Sequence, residues 1–293
     1  MESLGITGEF ERELRLALAM ADDADAMSMS RYRASDLVVT TKPDATPVTE
    51  ADQAVERMLR ATLGVQMRAD AILGEEFGDA AAGAASTAGA GAVGAGAGAA
   101  STAGAGAVGA RRWIIDPIDG TKNYMRGVPV WCTLIGLAVD GVPVVGVVSA
   151  PALGRRWWAA RGAGAWTRDV DGSERRIHVS GVRSLADASF SFSDAVAWDR
   201  HSRTPGALQR IIDATWRQRA YGDFLSHMLV AEGAVDIAGE PELAAWDMAA
   251  LIPVIVEAGG RTTGYAGGDP LAQTSLLTTN GLLHQLALDL IAG

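Results

Sequence analysis

What this chain can fold into is narrowed most by one dodecapeptide, Trp113-Ile114-Ile115-Asp116-Pro117-Ile118-Asp119-Gly120-Thr121-Lys122-Asn123-Tyr124. Trp113, Ile114 and Ile115 read as the end of a buried β-strand. Two carboxylates follow, Asp116 and Asp119, and Pro117 between them stiffens the turn by locking φ. Gly120 lets backbone amides come close to a ligand. Gly120 and Thr121 then open a helix, whose start favours an anion. Oxygen donors for hard divalent cations beside a phosphate cradle are what metal-assisted phosphoryl transfer needs. A strand ending in a polar turn with an Asx cap would explain an isolated Asp-x-x-Asp, but not the whole string.

The pattern of strand, acidic turn and helix recurs along the chain. Ala71-Ile72-Leu73-Gly74 runs into Glu75 and Glu76, adjacent acids that repel one another unless something positive lies between them. Glu240-Pro241-Glu242 and Trp246-Asp247 form a third acidic turn, feeding an apolar helix from Met248 to Ala258 that Gly259-Gly260 closes. Thr49 reads as the N-cap of a further helix with Asp52 at its third position, which a capping box explains equally well. Lys42 lies in a proline-bracketed loop, Lys42-Pro43-Asp44-Ala45-Thr46-Pro47. Residues 8–30 form an amphipathic opening helix, and 130–139 and 142–148 are apolar strands joined at Asp140-Gly141. The sheet continues from Pro151 to Trp158 and from Gly164 to Trp166. Arg155, Arg156 and Arg161 sit in it as solvated or edge-protecting residues. A strand over 188–192, helices over 205–217, 224–233 and 281–291, and a strand-to-helix turn at Arg219-Ala220-Tyr221-Gly222-Asp223 complete the order.

Composition decides among chemistries. The net charge of −10 argues against nucleic acid or anionic membranes as partners. A phosphate-binding acidic protein must therefore reverse its field locally, and metal ions do so directly. The four histidines (His178, His201, His227, His284) show no metal spacing, so carboxylates alone point to Mg²⁺ or Mn²⁺ rather than zinc. No Gly-x-Ser-x-Gly or Cys/His pairing supports a covalent nucleophile, which leaves hydrolysis by metal-activated water. The single cysteine, Cys132, excludes an intrachain disulfide and fits a reducing compartment. With no signal-peptide pattern and no run of ~18 apolar residues, the expectation is a soluble cytoplasmic protein.

Residues 80–110 are built almost entirely from Ala, Gly, Val, Ser and Thr, and one decamer occurs twice, beginning at Ser86 and at Ser101. Such a tract reads as a flexible, passive insertion. Its Gly-x-Gly-x-x-Gly matches neither follow a strand nor open a helix, so they are compositional.

Gly74-Glu75-Glu76, the string from Trp113 to Thr121, Trp246-Asp247 and Glu257-Ala258-Gly259-Gly260 together resemble the inositol monophosphatase family of Mg²⁺-dependent phosphatases. The likeness runs along nearly the whole chain outside 79–110. It implies an α/β layered αβαβα sandwich, a homodimer, and a site between an N-terminal half (1–150) and a C-terminal half (151–293). It further implies that Glu75, Asp116 and the carbonyl of Ile118 hold one metal, that Asp116, Asp119 and Asp247 hold a second, and that Glu75 touches a third. By the same resemblance Thr121 and Glu75 orient the attacking water, and Asp52 hydrogen-bonds the Thr121 hydroxyl. The amides of Gly120 and Thr121 hold the phosphate, and Lys42 matches a basic residue on a loop near the metals.

Thr41 to Thr49, Gly120 to Tyr124, Arg155 to Gly162 and Arg219 to Phe224 resemble the histidinol-phosphate phosphatase branch of actinobacterial histidine synthesis. Histidinol phosphate carries an ammonium and an imidazole, and Asp223 offers a carboxylate where the inositol enzymes carry a small neutral residue. Glu240 and Arg219 match substrate-side positions. Trp131, Tyr221 or Trp246 would serve as cation–π partners or as core. The alternatives are an inositol-1-monophosphatase or broad sugar-phosphate phosphatase, a nucleotide 3′-phosphatase, which the acidic charge disfavours, and a non-catalytic regulatory member.

Overall fold

The computed structural model describes residues 8–83 and 110–293. Most of the tract read as a flexible insertion, including both copies of the decamer apart from Ala110, lies outside the described residues. The chain opens with α1 (Glu11–Arg31), the hairpin of β1 (Val39–Thr41) and β2 (Pro47–Thr49), and α2 (Glu50–Gln66). Next come β3 (Ala71–Gly74), β4 (Gly78–Ala80), β5 (Arg111–Asp119), α3 (Thr121–Arg126), β6 (Cys132–Val139) and β7 (Val142–Ala150). Then follow β8 (Arg155–Ala160), β9 (Gly164–Arg168), β10 (Glu174–Arg176), β11 (Ser189–Ser191), α4 (Ala195–His201) and α5 (Ala207–Ala214). The chain continues through β12 (Arg217–Arg219), α6 (Asp223–Ala231), β13 (Ile237–Glu240), α7 (Ala245–Met248) and α8 (Leu251–Glu257). It ends in β14 (Arg261–Thr263), β15 (Leu276–Thr279) and α9 (His284–Ala292).

Two sheets carry the architecture. The larger runs in the order β10-β9-β8-β7-β6-β5-β3-β4, and the smaller in the order β12-β11-β13-β15-β14. Strand β3 is parallel to β5, which places the turns after Gly74 and after Asp119 at the same end of the large sheet. The large sheet takes strands from both sides of residue 150, and the small sheet begins at β11.

Alternation along the strands sorts the apolar side chains into layers. Trp113, Ile115, Ile135, Leu137, Val147 and Trp158 face α1 and α2. Cys132, Leu134, Val148, Trp157 and Ala159 face the other way, onto Phe224 and Met228 of α6 and Leu251, Val254 and Ile255 of α8. Beyond those helices lies the small sheet, whose Phe190, Ile237 and Leu277 pack against Trp198, Ile211, Ala287 and Ile291 of α4, α5 and α9. The stacking is thus helix, sheet, helix, sheet, helix, as the layered αβαβα expectation has it. Among the described residues no helix is long and apolar enough to cross a membrane.

Several local expectations need correction. The tract read as insertion from residue 80 begins inside β4, because Ala80 pairs with Ile72. The helix read from Met248 to Ala258 is the shorter α8, with the separate turn α7 ending at Met248 before it, and the segment 205–217 is a shorter helix followed by strand β12. Helix α4 and strands β10, β14 and β15 were not expected; all the strands among them are short. Arg156 is not solvated: it is 3 % exposed, and its guanidinium meets Asp22, Asp25 and the Ser149 hydroxyl at 2.6–2.8 Å. Those acids come from α1, so the arginine ties the outer helix layer to the sheet.

Candidate active site

Strand β5 delivers the two central acids, and an irregularity in its pairing decides their direction. Asp116 lies opposite Leu134 and Asp119 opposite Cys132, so three residues of β5 advance against two of β6. Residues three apart in a regular strand point to opposite faces. The extra residue in this bulge brings the two carboxylates together. Pro117 suits the bulge because it has no N–H to place in the ladder, while its carbonyl accepts from the Thr133 hydroxyl at 2.8 Å. Gly120 then turns left-handed at φ 85°, with Val130 carbonyl only 3.0 Å from where a Cβ would stand.

Asp247, in the first turn of α7, arrives from the far side. One carboxylate oxygen each of Asp116, Asp119 and Asp247 lies within 4.8 Å of the others. Each acid is held by a backbone amide: Ile118 N on Asp116 (3.0 Å), Phe224 N on Asp119 (3.2 Å) and Ala244 N on Asp247 (2.7 Å). Burial, reinforced by repulsion from Glu75 and Asp119, pushes Asp116 well above the ordinary carboxylate range. Burial and the charge of Asp223 do the same to Asp119, and burial foremost takes Asp247 up to about 7. Three convergent acids, Asp116 buried and Asp119 and Asp247 partly so, all raised by burial and neighbouring carboxylates, are a site that a cation would relieve. The donors facing one another are carboxylate oxygens, which suits a hard divalent ion. Cys132 Sγ stands 3.9 Å from Asp119 Oδ2, and burial pushes its thiol up.

Glu75 does not join that close set, although it is the leading charge acting on Asp116. Lys42 instead donates to Glu75 Oε1 at 2.8 Å and to Glu76 Oε1 at 2.7 Å. Burial would lower the Lys42 ammonium, yet the two glutamates outweigh it and raise it. Burial and the neighbouring charge of Glu75 push Glu76 up to about 8, against the pull of Lys42. Behind Glu76, buried Glu56 of α2 accepts the amides of Glu76 and Phe77 and thereby fixes the acidic turn.

Asp52 makes two hydrogen-bond links. It closes the capping box with Thr49, whose amide donates to it at 2.8 Å, and its other oxygen accepts from the Thr121 hydroxyl at 3.3 Å. Burial chiefly takes its pKa up to about 6. Thr121 Oγ1 also lies 3.1 Å from the carbonyl of Ile118.

A second acidic pair adjoins the first. Asp223 opens α6, one residue before the amide that holds Asp119, and its carboxylate accepts from Asn123 Nδ2 at 2.8 Å. Glu240 ends β13, is 5 % exposed, and is pushed up to about 8 chiefly by burial. Ser193 bridges the two, and a serine after a short strand carries no signal in the sequence. Arg219 is not drawn into these contacts: it stands exposed at the end of β12, its guanidinium on the Gln218 carbonyl. Trp131 is fully buried against Tyr32 and Tyr124 and is core, whereas Tyr221 and Trp246 are half-buried.

Comparison with known proteins gives the family. The chain matches the inositol monophosphatase family over residues 11–292. It is 51 % identical to a histidinol-phosphatase of Mycobacterium tuberculosis over 276 residues, 93 % of this chain and 95 % of the relative. It is 48 % identical to a histidinol-phosphatase of Streptomyces coelicolor over 93 % of this chain and 94 % of the relative. Among solved structures, an inositol monophosphatase from Zymomonas mobilis superposes with a TM-score of 0.77 at 25 % identity, covering 97 % of this chain and 99 % of that one.

Proposed function

Because the chain belongs to the inositol monophosphatase family and is a phosphomonoester hydrolase, we propose that it hydrolyses L-histidinol phosphate to L-histidinol and phosphate, a step of histidine synthesis, with Mg²⁺ as cofactor. The observation that carries this reading is the junction of two acidic groups. Asp116, Asp119 and Asp247 converge within 4.8 Å, and Asp223 acts on Asp119 as the first of its repelling charges.

The first group, with Glu75 and the Ile118 carbonyl, would hold two or three divalent cations, with Mn²⁺ as the alternative ion. When bound, they neutralise the phosphoryl charge and make water a stronger nucleophile. Thr121 and Glu75 orient the attacking water. Asp52 takes the Thr121 hydroxyl proton into a hydrogen bond, leaving the oxygen's lone pairs toward that water. The left-handed turn at Gly120 offers the amides of Gly120 and Thr121 to the phosphate. Lys42 stays beside Glu75 as a charge at the rim.

The second group separates the substrate classes. Asp223 and Glu240 are both raised chiefly by burial, and Asp223 adds its charge to Glu240. A cationic leaving group there regains Coulomb energy and returns both acids to their ionised form; a neutral polyol gains only hydrogen bonds. The test is phosphate release with Mg²⁺ over L-histidinol phosphate, inositol 1-phosphate and β-glycerophosphate. The expected result is a preference of at least about tenfold in kcat/KM for the first. Equal or reversed rates would transfer the enzyme to the inositol or broad sugar-phosphate branch. The family resemblance also carries a homodimer, which light scattering on the purified protein checks.

A further inference from the structure

Asp223 is one of few non-glycine residues with a left-handed backbone, at φ 46°, and it follows Gly222 at φ 86°. A non-glycine residue in this region is uncommon and is held there by its surroundings. Two side chains do so here. The Asp223 amide donates to Ser193 Oγ at 2.6 Å, and the same hydroxyl donates to Glu240 Oε1 at 2.5 Å. Asn123 Nδ2 spends its hydrogens on Asp223 Oδ2 and on the Val130 carbonyl, both at 2.8 Å. Turning the Asn123 amide over would set an oxygen against the carboxylate, so its orientation is determined by its partners.

The polarity of this relay matters. A serine hydroxyl has one proton, and this one goes to Glu240, so the lone pairs are left for the Asp223 amide. Three segments far apart in the chain, the ends of β11 and β13 and the start of α6, are thereby locked through one oxygen atom. Alanine at 193 would leave the Asp223 amide and Glu240 without that link, and alanine at 123 would free the Asp223 carboxylate.

Resting on the substrate reading above, we infer that Ser193 and Asn123 are positioning residues that hold Asp223 and Glu240 as a preformed receptor for a cationic group, and that they set the preference for an aminated phosphomonoester over a neutral one. Neither side chain needs to touch the substrate. Preorganised acceptors bind a cation without the cost of ordering two acids at the moment of binding.

The experiment measures kcat and KM for L-histidinol phosphate and for β-glycerophosphate in wild type, Ser193→Ala, Ser193→Thr and Asn123→Ala, all with Mg²⁺. Ser193→Ala and Asn123→Ala are expected to lower kcat/KM for L-histidinol phosphate by roughly tenfold, mostly through KM. The loss on β-glycerophosphate should be several-fold smaller, and Ser193→Thr, which keeps the hydroxyl, should restore the ratio. Equal losses on both esters would show a merely structural role and overturn the inference, as would an unchanged ratio in both alanine variants. Should Ser193→Ala not fold, Asn123→Ala and the inhibition constant of L-histidinol against β-glycerophosphate hydrolysis decide it in the same sense. A wild-type enzyme that favours β-glycerophosphate overturns the substrate reading and this inference together. A wild type that favours L-histidinol phosphate with unmoved variants overturns the inference alone.

Discussion

Lys42 Nζ donates to Glu75 Oε1 at 2.8 Å, so a lysine from the β1–β2 hairpin sits as a cation on the acid that adjoins the carboxylate cluster. The lysine and glutamate side chains are only 17 % and 21 % exposed, and Lys42 also serves Glu76.

Lys42→Met should therefore act in opposite directions on the metal-free and metal-loaded protein. Without Mg²⁺ the two glutamates lose a charged hydrogen-bond partner, a loss of about 1–3 kcal/mol and a few degrees in Tm. With Mg²⁺ a competing cation is gone, so half-maximal thermal stabilisation should come at lower Mg²⁺. Melting curves across a Mg²⁺ series check both arms; an unchanged or higher half-maximal concentration would count against competition.

Asp247→Asn should uncouple stability from turnover. Burial foremost disfavours the ionised acid at this position, so a neutral amide leaves the metal-free fold at least as stable. Turnover should nonetheless fall by about 100-fold or more, since a carboxylate ligand for the proposed cations is lost. Phosphate release together with melting in EDTA gives both numbers, and wild-type turnover in the variant would remove Asp247 from the site.

The metal-free protein should weaken as pH rises. Asp52 is raised to about 6, Asp247 to about 7, and Glu76 and Glu240 to about 8, burial being the first cause in each case. Groups whose folded pKa exceeds the unfolded one hold their protons longer in the native state. Their contribution is complete below the ordinary values of 3.8 and 4.5 and is lost as pH climbs through the raised ones. Each proton carries a slope of about 1.4 kcal/mol per pH unit inside that window. Urea unfolding in EDTA at pH 5 and pH 8 measures it, with lower stability expected at pH 8. Mg²⁺, which favours the ionised acids, should flatten the difference, and greater stability at pH 8 in EDTA would refute the assignment.

Arg156→Ala should cost about 3–5 kcal/mol, because it strands the largely buried Asp25 carboxylate without its guanidinium. Activity per folded molecule should persist, since the pair joins α1 to β8 and holds no part of the cluster. Urea unfolding checks the first expectation and phosphate release the second.

How far these features could be foreseen depends on the range of the force that produces them. The apolar strand through Trp113, Ile114 and Ile115 and the glycine at 120 were legible, since φ restriction and short apolar runs act within a few residues; that β5 runs on past Ile115, through a bulge at Pro117, to Asp119 was not. So was the Thr49/Asp52 capping box, which needs only a spacing of three. The acids of the site were legible as acids in turns, and the family resemblance supplied the layered architecture that relates them. Short edge strands such as β10 and β14 were not legible, because three residues are too few to show a period.

What the sequence determined alone is therefore the kind of chemistry: oxygen donors without histidine, delivered at strand ends beside a helix start. Only the tertiary structure decided which donors meet. The β5 bulge turned Asp116 and Asp119 to one side, Asp52 reached Thr121 across 69 residues, and Ser193 joined Asp223 to Glu240. Arg156 found its acids on a helix more than a hundred residues away and became core rather than surface. Backbone sterics are local and readable residue by residue, whereas the meeting of distant side chains is set by sheet register and layer packing, which no single stretch of sequence contains.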